Sequence, residues 1–110
     1  MKLPGADRAI VDIAKLRDYC LDPHHPRGRH KARVFASALG LTQADAEILR
    51  NALLAAARED TAMPGSSDEY GDRYTIDFQM EHGGRHATIR SGWIVLRDEA
   101  QPRLTSCFVL

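Results

Sequence analysis

The chain is poor in cysteine, with only Cys20 and Cys107, and it has no long apolar run and no excess of charge of either sign. Each lack excludes something. Two cysteines without an apolar leader fit free thiols in a reducing cytosol better than a disulfide framework. No stretch is long and apolar enough to span a bilayer. The opening MKLPGADRAIVD lacks the continuous apolar run of a signal peptide, so the expected location is cytoplasmic, with no membrane contact. Fifteen Lys and Arg balance fifteen Asp and Glu, which excludes a polyanion binder that works through bulk charge. Any attraction for nucleic acid must then be local. There is no internal repeat, low-complexity segment or interdomain linker. A length of 110 residues with 44% apolar composition suits one domain, residues 1–110, around one core.

Several reactive-site motifs are also missing. There is no G-x-S-x-G elbow, Cys20 falls on a helical stripe and Cys107 lies in a strand, so Ser or Cys nucleophilic catalysis is set aside. The histidines are His24, His25, His30, His82 and His86, without H-E-x-x-H or paired cysteines. His82 and His86 flank Gly83-Gly84 and do not share a helix face. No metal site and no cofactor is expected.

What is present begins with period. Asp12 caps a helix over about 13–21 whose stripe is Ile13, Leu16 and Cys20, and Pro23 and Pro26 stop it. A second helix over about 29–39 turns Val34, Phe35, Ala38 and Leu39 inward and ends at Gly40. Thr42 caps a third near 43–59, with Asp45 in place of the usual capping-box Glu and a stripe of Leu49, Ala52, Leu53 and Ala56. TAMPGSSDE reads as a loop. The period then becomes two. Tyr74, Ile76, Phe78 and Met80 alternate with polar residues, and Gly83-Gly84 turns the chain. Residues 85–97 continue as one strand through Gly92, although a break there stays open. The last strand, 103–110, puts Leu104, Phe108 and Leu110 on one face. The expected fold is α+β, with two to three N-terminal helices packed on one face of a C-terminal antiparallel sheet of three to four strands.

Parity carries the argument toward a site. If Ile76, Phe78, Ile89, Trp93, Leu104 and Phe108 face the helices, then Arg73, Thr75, Thr88, Arg90, Arg103 and Thr105 share the other face. Asp77 is the one carboxylate expected beside them. Such residues also serve β-propensity and solubility alone. The second cationic feature is DPHHPRGRHKARVF, Asp22 to Phe35, where Arg27, Arg29, Lys31 and Arg33 run without an acid. It reads either as a solvated loop and helix start or as the place where an anion is held.

Metal-free RNA cleavage needs a base for the 2′-hydroxyl, an acid for the leaving oxygen and cations for the phosphorane. These residue types supply all three. His25 is the candidate acid or base. Lys31, Arg90 and Arg103 would hold the phosphate, and Thr105 would donate a hydrogen bond. Arg29, His30, Arg73 and Thr88 are candidate substrate contacts, while Tyr74 has core parity and is assigned to packing.

Four blocks carry a resemblance: LRDYCLDPHHPRGRHKARVFASALGL, DEYGDRYTIDF, ATIRSGWIV and PRLTSCFVL. They resemble a small bacterial domain of unknown function, with similar segments at the C-termini of adhesins used in contact-dependent inhibition. Its pattern is roughly Tyr-x-Leu-Asn-Pro-x-His-Pro-x-Gly-x-x-Lys-Ala-x-Val-Phe. Tyr19, Leu21, Pro23, His25, Pro26, Gly28, Lys31, Ala32, Val34 and Phe35 fit it, with Asp22 for Asn. The later blocks place Tyr70, Gly71, Arg73 and Tyr74, then Arg90 and Trp93, then Pro102 to Thr105. The resemblance implies a member of the barnase, EndoU, colicin and RelE-type ribonuclease group, with helices on a four-stranded antiparallel sheet and RNA cleaved without metal. It further implies a toxin–antitoxin setting with RNA as substrate and a small neutralising protein as partner. Two other functions use the same cations: a non-catalytic module that binds an acidic protein, and a scaffold that binds RNA without cutting it.

Overall fold

Three helices precede a four-stranded antiparallel sheet, giving an α+β fold in the order that the change of hydrophobic period predicts. The computed structural model describes residues 1–110. α1 (Ile13–Lys15) starts where the Asp12 carboxylate accepts from the Ala14 N–H at 3.0 Å, satisfying a donor with no partner inside the helix. It widens into a π-helical turn, Leu16–Cys20, closed by the Leu21 N–H donating to the Leu16 carbonyl at 2.8 Å. Leu16, Cys20 and Leu21 enter the core, while Asp18 and Tyr19 stay exposed.

α2 (Arg29–Leu39) ends at Gly40, whose φ of 67° is open to glycine at little steric cost. Its buried stripe is Ala32, Phe35 and Leu39, and Val34, expected inside, is 43% exposed. The small Ala32 lies one turn before Phe35 and is covered by the loops on either side of the helix, near Leu21, Pro23 and Leu41. α3 (Ala46–Glu59) follows a 3-10 turn, Gln43–Asp45, with the full capping box. The Thr42 N–H donates to the Asp45 carboxylate at 2.9 Å, so the shorter acid serves where Glu is usual. No helix is long and apolar enough to cross a membrane.

The sheet is a meander of β1 (Met63–Ser67), β2 (Gly71–His82), β3 (Arg85–Leu96) and β4 (Arg103–Val109), in that order. β1 corrects the expectation of a loop there. Met63 pairs with Thr75 and Pro64 with Tyr74, and all of β1 is exposed, so no alternation marks it. An edge position tolerates Pro64 because one side of the strand needs no donor. β2 and β3 pair without interruption from Gly71↔Leu96 to His82↔Arg85, which resolves Gly92 as strand interior. Gly83 and Gly84 make the turn, with φ of 57° and 78°.

Leu16, Leu21, Phe35, Leu39, Leu49 and Leu53 pack on Ile76, Phe78, Met80, Ile89, Trp93, Leu104 and Cys107. Each fully buried leucine contributes about 2 kcal/mol. One buried polar side chain sits among them. Ser91 Oγ donates to the Ile76 carbonyl at 2.8 Å and accepts from Trp93 Nε1 at 2.9 Å.

β4 departs from simple alternation. Gly92 pairs with Ser106 but Trp93 pairs with Leu104, so Thr105 is an extra residue in a bulge. The bulge turns both Leu104 and Cys107 inward. Phe108, expected in the core with Leu104, instead lies on the outer face opposite Arg90, and Leu110 is 58% exposed.

Candidate functional site

The β4 edge gathers side chains from both ends of the chain. The N-terminal segment covers the start of that edge: the Ile10 N–H donates to the Pro102 carbonyl at 2.9 Å, and the Leu104 N–H donates back to Ile10 at 3.0 Å. α1 then brings Lys15 over the bulge, where Nζ donates to the Thr105 carbonyl at 3.2 Å. Beside this contact lies an open pocket of about 500 Å³ lined by Asp12, Ala14, Lys15, Asp18, Tyr19, Thr105 and Ser106. An adjoining one of about 290 Å³ shares Asp12, Lys15 and Thr105 and adds Arg103, Ile94, Ile10 and Leu104. A Cβ on Gly92 would lie 2.8 Å from Thr105 Oγ1 and 3.6 Å from Ser106 Oγ. The glycine therefore leaves room for both hydroxyls above the sheet.

The loop before α2 is wound on its own backbone. The Asp22 carboxylate accepts from the His24 N–H at 2.9 Å. His25 Nδ1 accepts from the N–H groups of Arg27 at 3.0 Å and Gly28 at 3.1 Å. His25 thus caps the turn into α2, and the acceptor role of Nδ1 leaves the hydrogen of the neutral ring on Nε2. Its ring lies 4.5 Å from that of Tyr19, which lines the larger pocket. Gly28 permits this approach, since a Cβ there would be 2.6 Å from the Tyr19 carbonyl.

Lys31, on the first turn of α2, reaches around the sheet edge and places Nζ 4.4 Å from the centre of the Phe108 ring. Phe108 pairs with Arg90, and Arg90 pairs with Asp77, so one row across the outer face reads Asp77, Arg90, Phe108, Lys31. Cys20 and Cys107 both lie buried in the core on the inner side of this edge.

The sheet arginines are not bare donors. Arg90 grips Asp77 through Nε at 2.9 Å and Nη2 at 2.8 Å. Arg103 grips Glu99 through Nε at 2.7 Å and Nη2 at 3.0 Å, and Arg73 bonds Asp68 at 2.7 Å. This corrects the expectation that Asp77 alone would share that surface. Asp68 and Glu99 come from connecting segments that the strand pattern does not place. The hydrogen bond from Arg90 holds the Asp77 carboxyl below the usual carboxylate range, as Arg103 does for Glu99 and Arg73 for Asp68.

The candidates fall into separate groups. Thr105 and Arg103 meet Lys15, Lys31 meets Arg90 through Phe108, and His25 reaches the pocket through Tyr19. Arg90 and the partner of Arg103, Ile94, are about 13 Å apart along β3, so these arginines occupy different stretches of the sheet. Arg29 Nη1 donates to the Pro26 carbonyl at 2.8 Å, and His30 is exposed on the same helix start. Thr88 accepts from Gln79 near the hairpin end, whereas Arg73 is paired toward the opposite end of the sheet, about 20 Å away along the strands. Lys15 and Ser106 were not singled out from sequence, Tyr19 entered only through the family pattern and Phe108 only as an expected core residue. Only the bulge, which no local pattern announces, turns β4 so that they meet.

The family model described as "Domain of unknown function (DUF6883)" matches residues 2–110. No curated protein matches the chain in sequence. Among solved structures, a chain of the contact-dependent growth inhibition toxin–immunity protein complex from Klebsiella pneumoniae 342 is similar in fold. The TM-score is 0.68 at 14% identity, over 96% of each chain. With a family model spanning nearly its whole length, the chain belongs to the DUF6883 family of domains of unknown function.

Proposed function

We propose that this domain is a metal-independent endoribonuclease of toxin type, restrained by a small protein partner and acting in the cytoplasm. One observation carries the reading: Lys15, Lys31, the Thr105 and Ser106 hydroxyls and the Tyr19–His25 ring pair converge on the β4 edge from distant parts of the chain. A phosphate between the lysines gains two ammonium groups without a paired carboxylate and two hydroxyl donors. His25 moves the proton through Nε2, because Nδ1 is committed to the turn. Arg90 and Arg103 contact flanking phosphates on either side, and Arg29 and His30 guide the strand toward α2. Arg73 and Thr88 touch RNA only farther along the sheet. The similar fold, from a toxin–immunity protein complex, supports a toxin- or immunity-type role and a protein partner.

The test is total RNA incubated with purified protein in EDTA and resolved on a denaturing gel. Cleavage is expected, and Lys15→Ala and Lys31→Ala should each lower its rate by about 10²–10³. Intact RNA from several active-folded preparations would overturn the reading, as would full activity in both variants.

A second reading has its own observation. Pairing of Arg73, Arg90 and Arg103 with carboxylates leaves the outer sheet face nearly neutral, as suits a protein-binding module better than a polyanion groove. Capture of one stoichiometric protein, with RNA left intact by the stripped domain, would select it.

A further inference from the structure

The meander leaves one stretch of strand without a neighbour. β1 pairs with β2 only as far as Met63↔Thr75, whereas β2 runs on to His82. The Leu110 N–H donates to the Thr88 carbonyl at 2.9 Å, so the main-chain groups of Thr88 face β4. Gln79, opposite Thr88, therefore turns its own N–H and C=O away from β3 and toward the open edge. Glu81, two residues on, does the same, and no loop or terminus bonds the backbone of either residue. The open length from Asp77 to His82 is about 17 Å, room for a strand of about five residues. α3 flanks this edge on its inner side. Beyond its core stripe of Leu49, Leu53 and Ala56 it carries a second one at helical spacing, Ile48, Ala52 and Ala55, with Ile48 43% exposed. That second stripe and Phe78 and Met80 of β2 line an open cleft of about 350 Å³.

Glu59, Asp60 and Glu81 line the same cleft, with no basic side chain among its lining residues and no ion pair to any of the three. Lys2 donates to the Glu59 carbonyl and lines no part of the cleft. We propose that the open edge of β2 is a docking site for an extended segment of a partner protein in which apolar residues alternate with lysine or arginine. The segment adds a strand to the sheet, and main-chain bonds to Gln79 and Glu81 hold it. Every second side chain enters the cleft between α3 and β2, and the residues between them lie beside Gln79 and Glu81 on the outer face. Cations there meet Glu81, and one at the end of the segment meets Glu59 or Asp60 on the α3 rim. The same carboxylates disfavour a second copy of this chain, because two copies joined edge to edge would bring two acidic rims together.

The site lies on the side of the sheet away from β4, so the proposal is independent of RNA cleavage, and a partner held there leaves Lys15 and Lys31 uncovered. The experiment titrates the capped peptide Lys-Val-Arg-Val-Lys-Val into the isotope-labelled full chain and follows amide resonances and amide hydrogen exchange. Shifts are expected along Ile76 to His82 and Ile48 to Ala55, with slower exchange at Gln79 and Glu81. Replacing the basic residues of the peptide by Glu should weaken binding at least about tenfold, and N-methylation of its amides that face β2 should abolish it. Gln79→Pro removes a donor at the open edge and keeps the ladder to β3, and Ala55→Lys puts a cation in the cleft. Each should weaken binding at least about tenfold with its melting temperature recorded, and Ala55→Lys carries the test where the proline variant unfolds. No binding up to about 1 mM peptide would overturn the proposal. So would shifts gathered on other elements, equal binding of the Glu peptide, unchanged affinity in a folded variant, or self-association of the chain that protects the same amides.

Discussion

Replacing Ser91 with alanine should cost about 2–3 kcal/mol of stability, although it deletes a single oxygen. Ser91 is fully buried, and its Oγ bridges the Ile76 carbonyl and the indole N–H of Trp93, itself 1% exposed. Loss of the hydroxyl strands the indole donor among apolar side chains, a penalty of about 1–3 kcal/mol, and removes a further bond worth about 1 kcal/mol. Relief from burying one hydroxyl offsets part of this. The urea midpoint should fall by about 1 M and the melting temperature by roughly 10 °C. Far-UV dichroism follows the unfolding, with emission from Trp93, the only tryptophan, as a second probe. A cycle with Trp93→Phe isolates the contact, because without the indole donor Ser91→Ala should cost about 1–2 kcal/mol less. A loss below about 0.5 kcal/mol, or the same loss in both backgrounds, would refute the bridge as the reason for a serine in this core.

Gly28→Ala should separate the end of α1 from the start of α2, since its Cβ would fall 2.6 Å from the Tyr19 carbonyl, and backbone cannot yield cheaply. Displaced ring resonances of Tyr19 and His25 would report it, and an unchanged Tyr19–His25 cross-peak would count against it. Acid stability should follow the paired carboxylates. Hydrogen bonds to arginine hold Asp18, Asp68, Asp77 and Glu99 below their usual range, and Asp72 is held down first by Ser67 and then by Arg97. Depressed folded values mean that this stabilisation is complete above the unfolded carboxylate range and is lost as pH falls through and below it. Urea midpoints should stay level from pH 7 to about 5 and drop below about 4. A drop already complete at pH 6 would assign the transition to other groups.

Much of the fold was legible because most elements obey one period throughout. Leu49, Leu53 and Ala56 mark α3 by spacing alone, and Thr42 with Asp45 fixes its start. Tyr74 to Met80 and Ala87 to Val95 keep their alternation along the long hairpin, so the outward set of Arg73, Thr75, Thr88 and Arg90 follows. The failures are places where one element contains an event that the period cannot register. β1 has no buried side chain and therefore no alternation, and its existence depends on partners in β2. The inward stripe of α2 passes through Ala32, a residue too small to outweigh Val34 in any hydrophobic pattern. Loop carboxylates Asp68 and Glu99 reach arginines that strand parity alone left unpaired.

The largest divergence comes from one residue. Without Thr105 as an extra position, Phe108 would enter the core and Cys107 would face outward. With it, Phe108 becomes the platform for Lys31, and the Thr105 carbonyl turns to Lys15. The same bulge thus builds the candidate anion site and turns Cys107 into the core.

The arginine pairs bear on the two functional readings through their geometry more than through their charge. Arg90 and Arg103 each use the Nε–Nη2 edge to grip a carboxylate, so Nη1 is outside both forks. A guanidinium locked in this way keeps three N–H donors, two of them on Nη1, for another acceptor and has already lost most of its rotamer freedom. An incoming phosphate would then meet a fixed donor at a lower ordering cost than a free arginine demands. The carboxylate at the same time weakens the long-range pull on a polyanion. Such a surface favours an anion delivered by other contacts, here the two lysines, over one attracted from a distance. The neutral sheet face and a cationic β4 edge are in this way compatible with the RNA site proposed above, in which the lysines would supply attraction and the arginines orientation.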